Sequence, residues 1–154
     1  MQDLFERFTT AILKLNKLVQ RIKVHEMKKF GLKSVHVMCL YYLNSRPRGI
    51  TAGELARMTL EDKAAISRAL AEMRQRGYVV YDPASHSAVI RLTEEGVRLA
   101  EYISQRAAAA VGAGSAQFTD EQREFFYTSL ITISDNLESY YDGLIKNSKG
   151  NDND

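Results

Sequence analysis

The chain has 154 residues, 45% of them apolar and 26% charged, with a formal net charge of +2 and one cysteine. That length suits a single globular domain with helical extensions, and the lone cysteine excludes an internal disulfide and fits a reducing compartment. The longest apolar run, Val37 to Leu43, is far below the roughly 20 residues of a membrane span, and Asp3 and Glu6 stand where a signal peptide would be apolar, so the expectation is a cytoplasmic protein with no membrane partner.

Leu4, Phe8, Ile12, Leu15, Val19 and Ile22 recur at spacings of three and four and predict a long helix over residues 3–29, closed at Gly31. Ser34 is placed to cap a second helix running to about Asn44, and Ser45-Arg46-Pro47-Arg48-Gly49 reads as a loop. Thr51-Ala52-Gly53-Glu54 has the form of a capping box, in which hydroxyl and carboxylate satisfy free backbone amides reciprocally; the helix it opens ends near Met58 or Thr59. Asp62 caps the next helix, Lys63 to Arg76, with Ile66, Ala69, Leu70 and Met73 as its buried stripe and Gly77 at a left-handed C-terminal cap.

Tyr78 to Tyr81 and Ala88 to Leu92 are strand formers on either side of the turn cluster Asp82-Pro83-Ala84-Ser85, a single hairpin with no second sheet to join. Thr93 then opens a helix with Glu94 and Glu95 in its first turn, where the helix dipole favours acids, and the pattern breaks at Gly112 and Gly114. Thr119-Asp120-Glu121-Gln122 is a second capping box. It starts a long helix whose apolar residues Phe126, Leu130, Ile133, Leu137, Tyr140 and Leu144 alternate by four and three, and Ser148 to Asp154 read as disordered. Both terminal helices carry a seam that must be buried against something. The seams can pair within one chain, but a homodimer uses both better and is the expectation.

Charge is unevenly spread. Residues 11–50 hold nine Lys/Arg against the single acid Glu26, and residues 119–154 hold eight acids against three cations. Such asymmetry suits one surface that meets polyanions and another that does not, although solvated helix faces of opposite sign produce the same pattern.

Residues 51–92 thus give a short helix, a tight connection, a second helix and a hairpin: helix-turn-helix order followed by a wing. The stretch "GELARMTLEDKAAISRALAEMRQRGYVVYDP" with "IRLTEEG" resembles the core of the MarR family of bacterial transcriptional regulators. The likeness rests on Glu54-Leu55-Ala56, Asp62-Lys63, Ile66-Ser67-Arg68, Leu70, Gly77-Tyr78-Val79, Asp82-Pro83 and Leu92-Thr93-Glu94-Glu95-Gly96. It implies one domain over residues 1–154, mainly α with a small β-hairpin wing: a winged helix-turn-helix at about 45–92 between dimerisation helices at about 3–44 and 93–148. It also implies a homodimer, usually a repressor, on a pseudopalindromic stretch of double-stranded DNA, released in many relatives when a small anionic or phenolic effector binds.

With Ile66, Ala69, Leu70 and Met73 turned inward, the outer face of the Lys63–Arg76 helix presents Lys63, Ala64, Ser67, Arg68 and Ala71. These are a cation, small residues that permit close approach, a hydroxyl and a guanidinium able to meet guanine or phosphate. Arg68 could instead pair with Glu72 at i+4. Where many relatives have an Asp-x-Arg pair in a longer wing turn, this sequence has Ala84-Ser85-His86-Ser87, leaving His86 at the tip and Arg91 on the returning strand. Arg46, Arg48 and the Lys28, Lys29, Lys33 group are further phosphate candidates. For the effector, the resemblance together with His36, Met38, Tyr41 and Tyr42 on the second helix suggests aromatic walls with a few polar tips, although the same residues also serve as core fillers. Cys39 reads as a buried structural cysteine rather than an oxidant sensor. No ligand spacing for a metal and no nucleophile–base pair appears, so neither cofactor nor enzymatic activity is expected. A winged-helix protein-interaction module is the competing reading, favoured by the weakly charged wing.

Overall fold

The computed structural model describes residues 2–85 and 87–151; His86, expected at the wing tip, and residues 152–154 lie outside the described residues. The elements run α1 (Gln2–Met27), a 3-10 turn (Lys28–Phe30), α2 (Ser34–Asn44), β1 (Ile50–Thr51), α3 (Ala52–Thr59), α4 (Lys63–Gln75), β2 (Val79–Val80), β3 (Val89–Leu92), α5 (Glu94–Gly114) and α6 (Asp120–Asn151). Among the described residues no helix is long and apolar enough to cross a membrane. The chain forms two compact units, one up to Ala109 and one from Ala110 onward.

In the first unit the predicted caps are made by the predicted groups. Thr51 Oγ1 accepts the Glu54 N–H at 3.3 Å while a Glu54 carboxylate oxygen accepts the Thr51 N–H at 2.7 Å. The Thr51 N–H and the Thr51 hydroxyl, both donating to that carboxylate, hold the Glu54 carboxyl below its ordinary range. Asp62 caps α4 by accepting the Ala65 N–H at 2.7 Å. Gly31 and Gly77 adopt φ values of 61° and 77°, as left-handed caps require. Leu60, in the α3–α4 connection, does so too at φ 58°, a conformation that disfavours side chains by about 1–2 kcal/mol.

Three expectations are corrected. Ser34 does not cap α2. Lys33 is the N-cap, its N–H is accepted by the His36 ring at Nδ1 (3.0 Å), and Ser34 Oγ donates to Gln20 instead. An imidazole three residues into the helix does here what a Glu does in a standard box. The hairpin is not alone, because β1 pairs antiparallel with β3 and completes a sheet of order β1-β3-β2, with Ile50 opposite Ile90 and Val79 opposite Leu92. Gly49 permits this: a Cβ there would stand 2.5 Å from the Ile90 carbonyl oxygen. Finally, α5 continues through Gly112 to Gly114 and α6 extends to Asn151, since glycine weakens a helix by about 1 kcal/mol without ending it.

The core of the first unit gathers α2 (Leu40, Leu43), α3 (Leu55), α4 (Ile66, Leu70, Met73), the sheet (Val79, Ile90) and the first half of α5 (Leu99, Ile103). The Leu92–Gly96 motif docks α5 on this core. The Thr93 N–H donates to the Tyr78 carbonyl at 3.0 Å, the Thr93 hydroxyl donates to the Gly77 carbonyl, and the Gly96 N–H donates back to Thr93 Oγ1 at 3.0 Å. Gly96 is buried, and a Cβ on it would fall 1.9 Å from the Tyr78 carbonyl oxygen. In the second unit the second capping box closes through Thr119 and Gln122, and Phe118 meets Phe126 edge to face.

Because the Gly96 contact is with backbone, nothing flexible can yield. Gly96→Ala should lower the free energy of unfolding by about 1–3 kcal/mol in urea titration, whereas Gly53→Ala, with no atom within 4 Å of its would-be Cβ, should shift it little.

Candidate nucleic-acid interface

Helix α4 is two-faced because its sequence is. Ile66, Ala69, Leu70 and Met73 are at most 3% exposed and fix its rotation about its own axis. Lys63, Ala64, Ser67, Arg68 and Ala71 are consequently all exposed, on the opposite side. The Arg68–Glu72 pair that the spacing allows is not formed; Glu72 turns to His36 and Lys33, and Arg68 makes no ion pair or hydrogen bond within the described residues. The face therefore offers an uncommitted guanidinium, a cation and a hydroxyl set among alanines, the donor set that suits base edges and phosphates. At its N-terminal end the Asp62 carboxylate already occupies the Ala65 amide, so fewer backbone donors are open to an anion than the bare helix end suggests.

The sheet brings the loop before β1 against the returning wing strand. Arg91 Nε donates to the Arg48 carbonyl at 3.1 Å, so two exposed arginines stand together at the base of the wing, displaced from its tip. Arg46 is not part of that pair. It folds back on the end of α2, donating to Ser45 Oγ at 2.8 Å and to the Tyr42 carbonyl at 3.3 Å, with its guanidinium 5.8 Å from the Tyr42 ring centre. Two of the front-half lysines are likewise engaged: Lys29 donates to Tyr102 Oη at 2.9 Å and lies over its ring, and Lys33 pairs with Glu72.

On α2, Tyr41 is exposed and meets the half-buried Tyr42 edge to face at 5.7 Å, and Met38 is half-buried. His36 differs from these three. Its ring is 1% exposed and both nitrogens are used, Nδ1 by the Lys33 amide and Nε2 by the Glu72 carboxylate at 3.1 Å, so it has no atom left for an effector's charge. Burial holds its pKa below the ordinary imidazole value, the Glu72 carboxylate opposing this and Lys33 and Arg76 adding to it. Cys39 is fully buried, and burial pushes its thiol up to about 12, so it stays a protonated core filler near neutrality.

With this geometry in place, comparison with known proteins is decisive for the central region: residues 30–87, from the α1–α2 corner to the wing, match the model of the MarR family. Over those residues the chain is similar to the MarR family. Solved structures agree in fold. A MarR protein from Peptoclostridium difficile is 22% identical, with 86% of this chain and 88% of that one covered at a TM-score of 0.76. A MarR-family regulator from Listeria monocytogenes, solved with a 26mer DNA, is 16% identical over 84% and 87% of the two chains at 0.74. CouR from Rhodococcus jostii, solved with p-coumaroyl-CoA, is 21% identical over 82% and 90% at 0.72. No curated protein matches the chain. The match to the MarR-family model spans the α4 face and the wing up to residue 87, and it includes Lys33, His36 and Glu72, which the sequence suggested for phosphate, for an effector and for Arg68 but which the fold joins to one another.

Neutral His36 is the form the fold favours, which has a consequence for stability. The unfolded chain binds a proton near pH 6.5 that the folded chain refuses, so stability falls as pH drops below that value. Glu26 and Glu54, both held below 4.5, begin to matter only at lower pH. The urea midpoint of the parent should therefore decline between about pH 7 and pH 5, and His36→Gln should flatten that decline. Parallel slopes in the two proteins would assign the titration to another group.

Proposed function

We propose that this protein is a transcriptional regulator, a repressor, that binds double-stranded DNA as a homodimer and places α4 in the major groove of each half of a pseudopalindromic site. The observation that carries this is the α4 face itself, with Lys63, Ser67 and Arg68 exposed among small residues. In the winged-helix arrangement the recognition helix reads base edges with such a face. Lys63 and Arg68 supply charge, Ala64 and Ala71 let the helix approach closely, and Ser67 adds a neutral donor. Arg48 and Arg91 take the role of phosphate contacts at the wing's base, with Arg46 and His86 as further candidates. Solved relatives of this fold have been seen with DNA, which supports the reading.

The homodimer rests on the terminal helices. Phe8, Ile12, Leu15, Val19 and Ile22 of α1 are all about 40% exposed or more, and Ile133, Leu137 and Tyr140 of α6 are exposed as well. Apolar seams this long need a covering surface, and a second copy of the chain would supply a matching one. An aromatic or anionic effector, bound beside Met38, Tyr41 and Tyr42, would release DNA by favouring a dimer whose recognition helices no longer match successive grooves. CouR in complex with a CoA ester supports an effector of that chemical class. His36, with both nitrogens committed, serves there as a strut and not as the ligand's charge partner.

The test is binding to a duplex that the parent protein selects from random sequence. Arg68→Ala should cost about 1–3 kcal/mol and relax preference at one base pair per half-site. Lys63→Ala should weaken binding to selected and random duplexes alike and reduce the salt slope by about one. Unchanged affinity in both variants would instead favour a protein-interaction module.

A further inference from the structure

The outer face of α4 can read DNA only if the helix is held at a fixed attitude to the rest of the protein, and the apolar stripe cannot do this alone. Close packing at Ile66, Ala69, Leu70 and Met73 sets rotation about the helix axis but resists tilt and sliding only through soft, non-directional contacts. Directional bonds are concentrated at one end. Glu72, half-buried on the flank of the stripe, accepts from His36 Nε2 at 3.1 Å through one carboxylate oxygen and from Lys33 Nζ at 3.4 Å through the other. One turn later Arg76 Nη1 donates to the Phe30 carbonyl at 2.9 Å, its guanidinium lying along Gly31. All three partners, His36, Lys33 and Phe30, belong to the corner between α1 and α2. That corner is itself fastened to α5, by Glu26 to Arg106 (2.6 and 2.9 Å) and by Lys29 to Tyr102.

We propose that Glu72 and Arg76 are the positioning residues of the recognition helix, a polar clamp that fixes the attitude of α4 against the α1–α2 corner and so sets sequence discrimination without touching DNA. His36 is the rigid half of the clamp: buried, with its tautomer fixed because Nδ1 accepts the Lys33 amide, it must present Nε2–H to Glu72. Glu72 thereby gives up the partner four residues earlier on its own helix, Arg68, which makes no ion pair or hydrogen bond within the described residues and stays on the outer face. This inference rests on the reading of α4 as the DNA-contacting helix.

Phosphate contacts tolerate small errors in helix attitude, whereas base contacts do not, so the clamp is read by the ratio of selected-duplex to random-duplex affinity. Glu72→Ala should lower that ratio on the order of tenfold, and Glu72→Gln, whose amide oxygen still accepts from His36, should keep it within about twofold of the parent. Both variants remove the same charge, so simple electrostatics cannot separate them. Equal ratios in the two variants, or a loss that Gln does not rescue, would overturn the clamp. Amide hydrogen exchange over Met73 to Arg76 gives an answer independent of DNA: it should quicken by about tenfold in Glu72→Ala and stay near the parent's in Glu72→Gln. If the parent shows no sequence preference at all, the DNA reading fails while the exchange comparison still decides the clamp, and unchanged exchange in Glu72→Ala refutes it.

Discussion

Burial of the α4 stripe is the constraint from which the other features of this protein follow. Ile66, Leu70 and Met73 each remove a large side chain from water, worth about 1.5–3 kcal/mol apiece, and Ala69 lets the helix close on its neighbours. No arrangement that exposes this stripe can compete, so the rotation of α4 is settled by apolar area alone. The opposite face is then outward whatever its chemistry. Its residues are small or charged, and none of them is needed to hold the fold.

Polar contacts act at a different scale. The exposed Arg98 pairs with Glu94 and Glu95 on the surface of α5, and solvent-screened contacts of that kind contribute little to stability. The bonds at the α1–α2 corner differ in that His36 is buried and cannot trade its partners for water. Losing one partner there leaves a desolvated group unpaired, which is the costly case. The corner therefore contributes direction where the core contributes stability, and it joins α1, α2, α4 and α5 at one place.

Much of this was legible in the sequence because the information is local. Spacing at three and four showed the α4 stripe residue by residue, and Thr51–Glu54, Asp62 and Thr119–Gln122 announced their helices through caps that span only three residues. What spacing could not show was pairing across long separations. β1 is two residues long and exists only because β3, some forty residues later, is there to pair with it. The His36–Glu72 contact spans a similar gap, and the one local hint, an acid set against an apolar stripe, pointed equally well to Arg68. Lys33 displaced Ser34 as the cap of α2 for the same reason: the imidazole that completes the box is oriented by Glu72 on another helix.

We propose that α4 enters the major groove twice on one duplex. Methylation interference on a duplex selected by the parent protein tests it directly, because guanine N7 lies in the major groove and adenine N3 in the minor. N7 methylation should block binding in two patches whose centres lie about 34 Å apart, one helical turn, with the stronger effect at the guanine that Arg68→Ala ceases to prefer. Binding that is indifferent to N7 methylation, or blocked only by methylation at adenine N3, would contradict it.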